Sequence, residues 1–129
     1  MSTEEFINSA PLVQLLGIEI TEANDGYAEG KLDLRKELSG HSDKVIAHGG
    51  VTYSLADTVG GAAMMSKINQ PPPTIDMRVD YLNAGTGTLF AEATVERVSR
   101  SAGVVHVNIT DNEDTRIAVV RGVYDAHGW

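Results

Sequence analysis

The run His48-Gly49-Gly50-Val51-Thr52-Tyr53-Ser54-Leu55-Ala56-Asp57-Thr58-Val59-Gly60-Gly61-Ala62-Ala63-Met64-Met65-Ser66-Lys67 sets the layout of the chain. From Gly50 to about Lys67, apolar or small side chains fall on nearly every helical face, and a helix apolar all round is a buried one. Upstream, Lys36 to Ala47 is polar, follows neither the helical nor the strand period, and carries Ser39-Gly40-His41-Ser42-Asp43, which reads as a loop. Downstream, Gln70-Pro71-Pro72-Pro73 breaks the helix.

Strands must then cover that helix. Ile75, Met77, Val79 and Tyr81 alternate with Asp76, Arg78 and Asp80, and Leu89 to Val98, Val104 to Asp111 and Arg116 to Tyr124 continue the pattern. The connections Asn83-Ala84-Gly85-Thr86-Gly87, Ser101-Ala102-Gly103 and Asn112-Glu113-Asp114 are short enough to join antiparallel neighbours. Nearer the start, Ile18 to Ala23 and Tyr27 to Arg35 flank the hairpin signal Asn24-Asp25-Gly26. Glu4 to Leu16 sets Phe6, Ile7, Leu12, Val13, Leu15 and Leu16 at roughly helical spacing and ends at Gly17, which predicts one short amphipathic helix with a glycine cap. The sum is an α+β layout in a single domain over residues 1–129, with one buried helix, one peripheral helix and a run of antiparallel strands. One sheet face cannot hide the central helix completely, and Gly60, Gly61, Ala62 and Ala63 would admit a second backbone, which points to a dimer.

The chain has 129 residues, a net charge of −8 and no cysteine. Without thiols there is no disulfide framework, thiolate nucleophile or cysteine-containing zinc site, so chemistry must come from oxygen and nitrogen groups. An acidic balance with no basic cluster argues against a nucleic-acid partner. Any anionic ligand must rely on local cations, with Arg78, Arg97 and Arg100 as candidates. No apolar stretch reaches the ~18 residues of a membrane span, and the first residues lack a basic start followed by an apolar run. A cytoplasmic protein without a membrane partner is expected.

Asp57 interrupts the apolar helix, and the positions three and four residues away are Tyr53, Ser54, Gly60 and Gly61, none of them cationic. Two readings fit it: a carboxylate hydrogen-bonded for structural reasons by Tyr53, Ser54 or a strand, or a functional carboxylate. His48-Gly49-Gly50 opens the helix, where unpaired N–H groups carry the positive end of the macrodipole and glycines let a ligand oxygen approach. That is oxyanion-hole chemistry, with a tight glycine turn as the simpler alternative. Gly50 and Asp57 lie seven residues apart, on nearly one face but about 10 Å apart along the axis. One subunit cannot bring both to one carbonyl, whereas two antiparallel helices about a two-fold axis would build two equivalent sites.

The run His48 to Thr58 resembles the signature of hotdog-fold acyl-CoA thioesterases of the phenylacetate-degradation type. The likeness continues through Asp76-Met77-Arg78-Val79-Asp80-Tyr81-Leu82 and more loosely through Leu89-Phe90-Ala91-Glu92-Ala93. It implies a long helix wrapped by a five- or six-stranded antiparallel sheet, dimers joined edge to edge, and often tetramers built as dimers of dimers. It further implies Asp57 as general base or nucleophile, the Gly50 N–H as polariser of the thioester carbonyl, and His48 as a residue positioning the thioester or the site loop. Thr74 falls where some relatives keep a hydroxyl that holds the attacking water. For substrate binding it implicates Ser42, Gly49, Asn83 and Arg100. There are departures: Ser42 stands where many relatives carry Asn or Gln, Leu82-Asn83-Ala84 lacks the common proline, and Ser99-Arg100 replaces Gly-Arg.

His106 reads as an outward strand residue, His127 as part of the tail, and His41 as a loop residue able to approach the site. No metal-ligand spacing, nucleophile elbow or phosphate loop occurs, so neither metal nor cofactor is expected beyond the coenzyme A of the substrate. Hydrolysis of an aromatic or medium-chain acyl-CoA is the leading expectation. The alternative is a hotdog module that binds acyl-CoA, or regulates through it, without turnover.

Overall fold

The computed structural model describes residues 1–128. In chain order its elements are α1 (Thr3–Asn8), α2 (Pro11–Leu16), β1 (Ile18–Asn24), β2 (Tyr27–Asp33), a short 3-10 turn (Lys36–Leu38), α3 (Gly49–Ile68), β3 (Thr74–Tyr81), β4 (Thr88–Val98), β5 (Ala102–Asp111) and β6 (Arg116–Asp125). The strands form one antiparallel sheet in the order β1-β2-β4-β5-β6-β3, with α3 packed against it. The expected α+β arrangement of a long helix wrapped by six strands is present.

Small residues on the sheet let the helix come close. Across β2 and β4, Ala28 faces Ala93 and Gly30 faces Ala91, and all four are buried. A Cβ added at Gly30 would lie 2.6 Å from Val59 Cγ2 and 3.2 Å from the Glu19 carbonyl oxygen, so any side chain there must displace Val59 or the neighbouring strand. Around that contact Leu55, Ala56, Val59, Ala62, Ala63 and Met64 of α3 share one buried cluster with Ile20, Leu32, Leu89, Val105, Val107 and Ile109. Each large aliphatic side chain so buried contributes about 1.5–3 kcal/mol. The hairpin signal holds in detail: Asp25 and Gly26 both have positive φ, as a two-residue turn between twisted strands requires.

Two expectations are corrected and one is filled in. The segment from Glu4 to Leu16 is two helices. Ser2 and Glu5 cap α1 reciprocally, and Pro11 takes the first turn of α2, where its missing N–H costs nothing. Lys36 to Ala47 is the loop expected, with a 3-10 turn at Lys36–Leu38 and an internal brace: the Ser39 hydroxyl accepts from the His41 and Ile46 amides and reaches the His41 and Lys44 carbonyls, and Ser39 bridges to Ala47. The glycines and alanines at 60–63 are buried within the chain itself, and a Cβ at Gly60 would meet the Tyr124 hydroxyl at 2.5 Å. They are consumed by the fold, and the open face of α3 lies instead along Tyr53, Ser54, Asp57 and Thr58.

No helix among the described residues is long and apolar enough to cross a membrane. Gly30→Ala is expected to lower the unfolding free energy by about 1–3 kcal/mol, since the methyl forces α3 off the sheet. Urea denaturation followed by circular dichroism measures the loss.

Candidate active site

Asp57 was expected in an apolar interior. It is half-buried instead, because the sheet leaves its side of α3 partly open. Its Oδ1 accepts a hydrogen bond from Thr74 Oγ1 at 2.7 Å, and the Tyr124 hydroxyl lies 3.2 Å from the same oxygen and 2.9 Å from the Asp57 carbonyl oxygen. The convergence follows from register. Thr74 and Tyr124 face each other directly across β3 and β6, and opposed residues of an antiparallel pair share a sheet face. A bulge between Thr74 and Asp76 ends the regular ladder there. Tyr124 is almost fully buried; burial, and then the neighbouring Asp57 charge, push its phenol well above its ordinary value and keep it a protonated donor.

Beside this carboxylate is a cavity of about 310 Å³ between α3, the α1–α2 pair and the proline run. Its wall is apolar, made by Phe6, Ile7, Ala10, Val13, Pro71, Pro72 and Pro73, with Asp57, Thr58, Thr74 and Tyr124 as its polar groups. A wider depression of about 480 Å³ lies among Glu29, Lys31, Phe90, Glu92 and Asp114 and includes none of these residues. Apolar walls around a few convergent polar groups make the smaller cavity the candidate site.

The start of α3 is exposed at His48, Gly49 and Gly50. His48 is the N-cap, and its Nδ1 accepts from the Gly50 N–H at 2.9 Å, which places the neutral ring's proton on Nε2. The amide expected to polarise a carbonyl therefore already has a partner within the chain. The Gly49 carbonyl oxygen accepts from the Tyr81 hydroxyl at 2.7 Å, which ties the end of β3 to this helix start. Since α3 is unbroken from Gly49 to Ile68, Gly50 and Asp57 keep the separation of about 10 Å along the axis that their spacing predicts.

The remaining residues divide into two groups. Ser42 is exposed on the loop that leads to His48, and Asn83, whose side chain donates to the Arg116 carbonyl at 2.7 Å, follows β3 near the same end of the helix. His41 Nδ1 accepts from the Asp43 amide within that loop. Arg100 is exposed in the β4–β5 turn, next to Gly103, which abuts Met64 in the C-terminal half of α3; Arg97 is nearby on β4. Arg78 forms an ion pair with Asp80 on its own strand, and His106 pairs with Glu96. A single chain thus gathers Asp57, Thr74 and Tyr124 at one place and His48, Gly49 and Gly50 at another. Tyr124 was missed in the sequence; a lone tyrosine in the last alternating strand gave no sign that register would set it opposite Thr74.

An α+β chain with a long helix packed on a six-stranded antiparallel sheet has the hotdog fold. The chain belongs to the thioesterase superfamily, whose family model matches residues 46–118. The acyl-coenzyme A thioesterase PaaI of Escherichia coli is 30% identical over 83% of this chain and 76% of its own length. The medium/long-chain acyl-CoA thioesterase YigI of the same organism is 26% identical over 94% and 88%. Among solved structures, a Shewanella oneidensis protein related to the thioesterase superfamily superposes with a TM-score of 0.84 at 28% identity, covering 95% of this chain and 92% of that one.

The raised Tyr124 phenol has a consequence for stability. The unfolded chain releases this proton near pH 10, while the folded chain holds it to higher pH, so the unfolding free energy falls as pH rises past that value. Tyr27 and Tyr81, both raised chiefly by burial, contribute with the same sign. Alkaline denaturation of wild type and Tyr124→Phe is expected to show a shallower decline in the variant.

Proposed function

We propose that this protein hydrolyses an acyl-coenzyme A thioester to the free acid and coenzyme A, at two equivalent sites of a homodimer. The observation that carries the reading is the Asp57 carboxylate set beside an apolar cavity on a half-open helix face. Membership of the thioesterase superfamily supplies the bond to be broken, and the names of PaaI and YigI support coenzyme A as the thiol. The cavity suits an aromatic or medium-chain acyl group.

In this reading Asp57 either takes a proton from an attacking water and passes it to the leaving coenzyme A thiolate, or attacks the carbonyl carbon itself to form a mixed anhydride that a water then hydrolyses to the free acid, the proton released by that water balancing the departed thiolate. Gly50 of the partner subunit donates its N–H to the carbonyl oxygen, with the substrate oxygen taking the place of the His48 imidazole. Gly49, Ser42 and Asn83 lie at that helix start and contact the pantetheine side, while Arg100 attracts the nucleotide phosphates. Support for the dimer comes from surfaces one chain leaves uncovered: the α3 face at Tyr53, and edge strand β3 with Ile75, Tyr81 and neighbouring Leu82 exposed. Two dimers can pair into a tetramer. Coenzyme A enters only as part of the substrate, and the enzyme works in the cytoplasm.

Thiol release from a panel of aromatic and aliphatic acyl-CoA esters tests this. Asp57→Ala is expected to lose about a hundredfold or more of turnover, the contribution of one general base. Ala10→Leu, which fills the cavity, is expected to lower kcat/KM for longer or aromatic acyl groups while sparing acetyl-CoA. Wild-type protein that binds the esters but releases no thiol would instead be a non-catalytic binding module.

A further inference from the structure

The two oxygens of Asp57 are not equivalent. Oδ1 receives Thr74 Oγ1 at 2.7 Å and faces the Tyr124 hydroxyl at 3.2 Å, whereas Oδ2 accepts no hydrogen bond from any described residue. The Tyr124 hydroxyl also lies 2.9 Å from the carbonyl oxygen of the same residue, so a single buried phenol spans the backbone and the side chain of Asp57. Its seat is made by Gly60, one turn along α3, where a Cβ would stand 2.5 Å from that hydroxyl. A phenol has one proton to give, and its burial keeps that proton in place.

From this geometry we propose that Tyr124 is a positioning residue for the thioesterase reaction: together with Thr74 it clamps Oδ1 and leaves Oδ2 as the oxygen that meets the attacking water or the carbonyl carbon. The inference rests on the assignment of Asp57 above and adds which of its atoms reacts and what holds it. A carboxylate free to rotate presents its reacting oxygen only part of the time, whereas one pinned through its other oxygen is oriented before substrate arrives. Gly60 belongs to the same device, since any larger residue expels the hydroxyl.

The test compares wild type, Tyr124→Phe, Asp57→Asn and the double variant by steady-state kinetics with the best acyl-CoA ester, and folding by thermal denaturation. Tyr124→Phe is expected to lower kcat about ten- to a hundredfold, with KM within about twofold, because it removes one hydrogen bond to a charged reacting group. In the Asp57→Asn background the same change is expected to add little further loss, since Tyr124 acts through Asp57. Gly60→Ala is expected to lower both Tm and kcat, and adding Tyr124→Phe to it should restore Tm, because the methyl fills the space of the lost oxygen, without restoring kcat. A fully active Tyr124→Phe beside an inactive Asp57→Asn overturns the Tyr124 inference alone, as does an equal loss in both backgrounds. Wild-type turnover by Asp57→Asn overturns the assignment of Asp57 and this inference with it.

Discussion

Everything in this chain depends on how closely α3 can approach the sheet. The distance is set where Val59 meets Gly30, flanked by Ala28, Ala91 and Ala93, because a side chain at Gly30 would collide with both the helix and the neighbouring strand. Packing at interior density tolerates little slack, so this contact fixes the height of the helix above all six strands. It also fixes where Asp57, two residues before Val59, emerges relative to β3 and β6. Hydrogen bonds of 2.7 and 3.2 Å from two different strands to one carboxylate oxygen are possible only if that height is held to a fraction of an ångström.

The helix divides its labour along its length. Its start is exposed at Gly49 and Gly50, its middle offers Asp57 on a half-open face, and its second half is buried from Val59 to Met64. Polar chemistry is thus confined to the end and side that the sheet cannot cover, and the buried half supplies most of the apolar contact that holds the element in place.

Period and turn chemistry made most of the fold legible. Alternation marked the later strands, the largely apolar run marked α3, and Asn24-Asp25-Gly26 marked the first hairpin. Asp57 and the glycines before Val51 were visible because they violate their surroundings: a charge in an apolar run, and two flexible residues at a helix start. What remained hidden depends on which neighbour a residue meets. Helical spacing of apolar residues outweighed Pro11, which divides the first helical segment in two. The small residues at 60–63 looked like room for a second helix, yet the occupant at Gly60 is Tyr124, sixty-four residues away. Pairing of Thr74 with Tyr124 depends on a bulge at Ile75, and a period of two cannot announce where it will slip.

One wall of the cavity differs in kind from the others. α1 is six residues long, fully buries none of them, and is held to the body by Ile7, which packs against the core, and by Asn8, whose side chain pairs with the amide and carbonyl of Ile20 at 2.8 and 3.1 Å. The volume beside Asp57 is therefore bounded unequally: Phe6 and Ile7 line it from a short helix that fully buries none of its own residues, while the carboxylate is anchored by hydrogen bonds from β3 and β6.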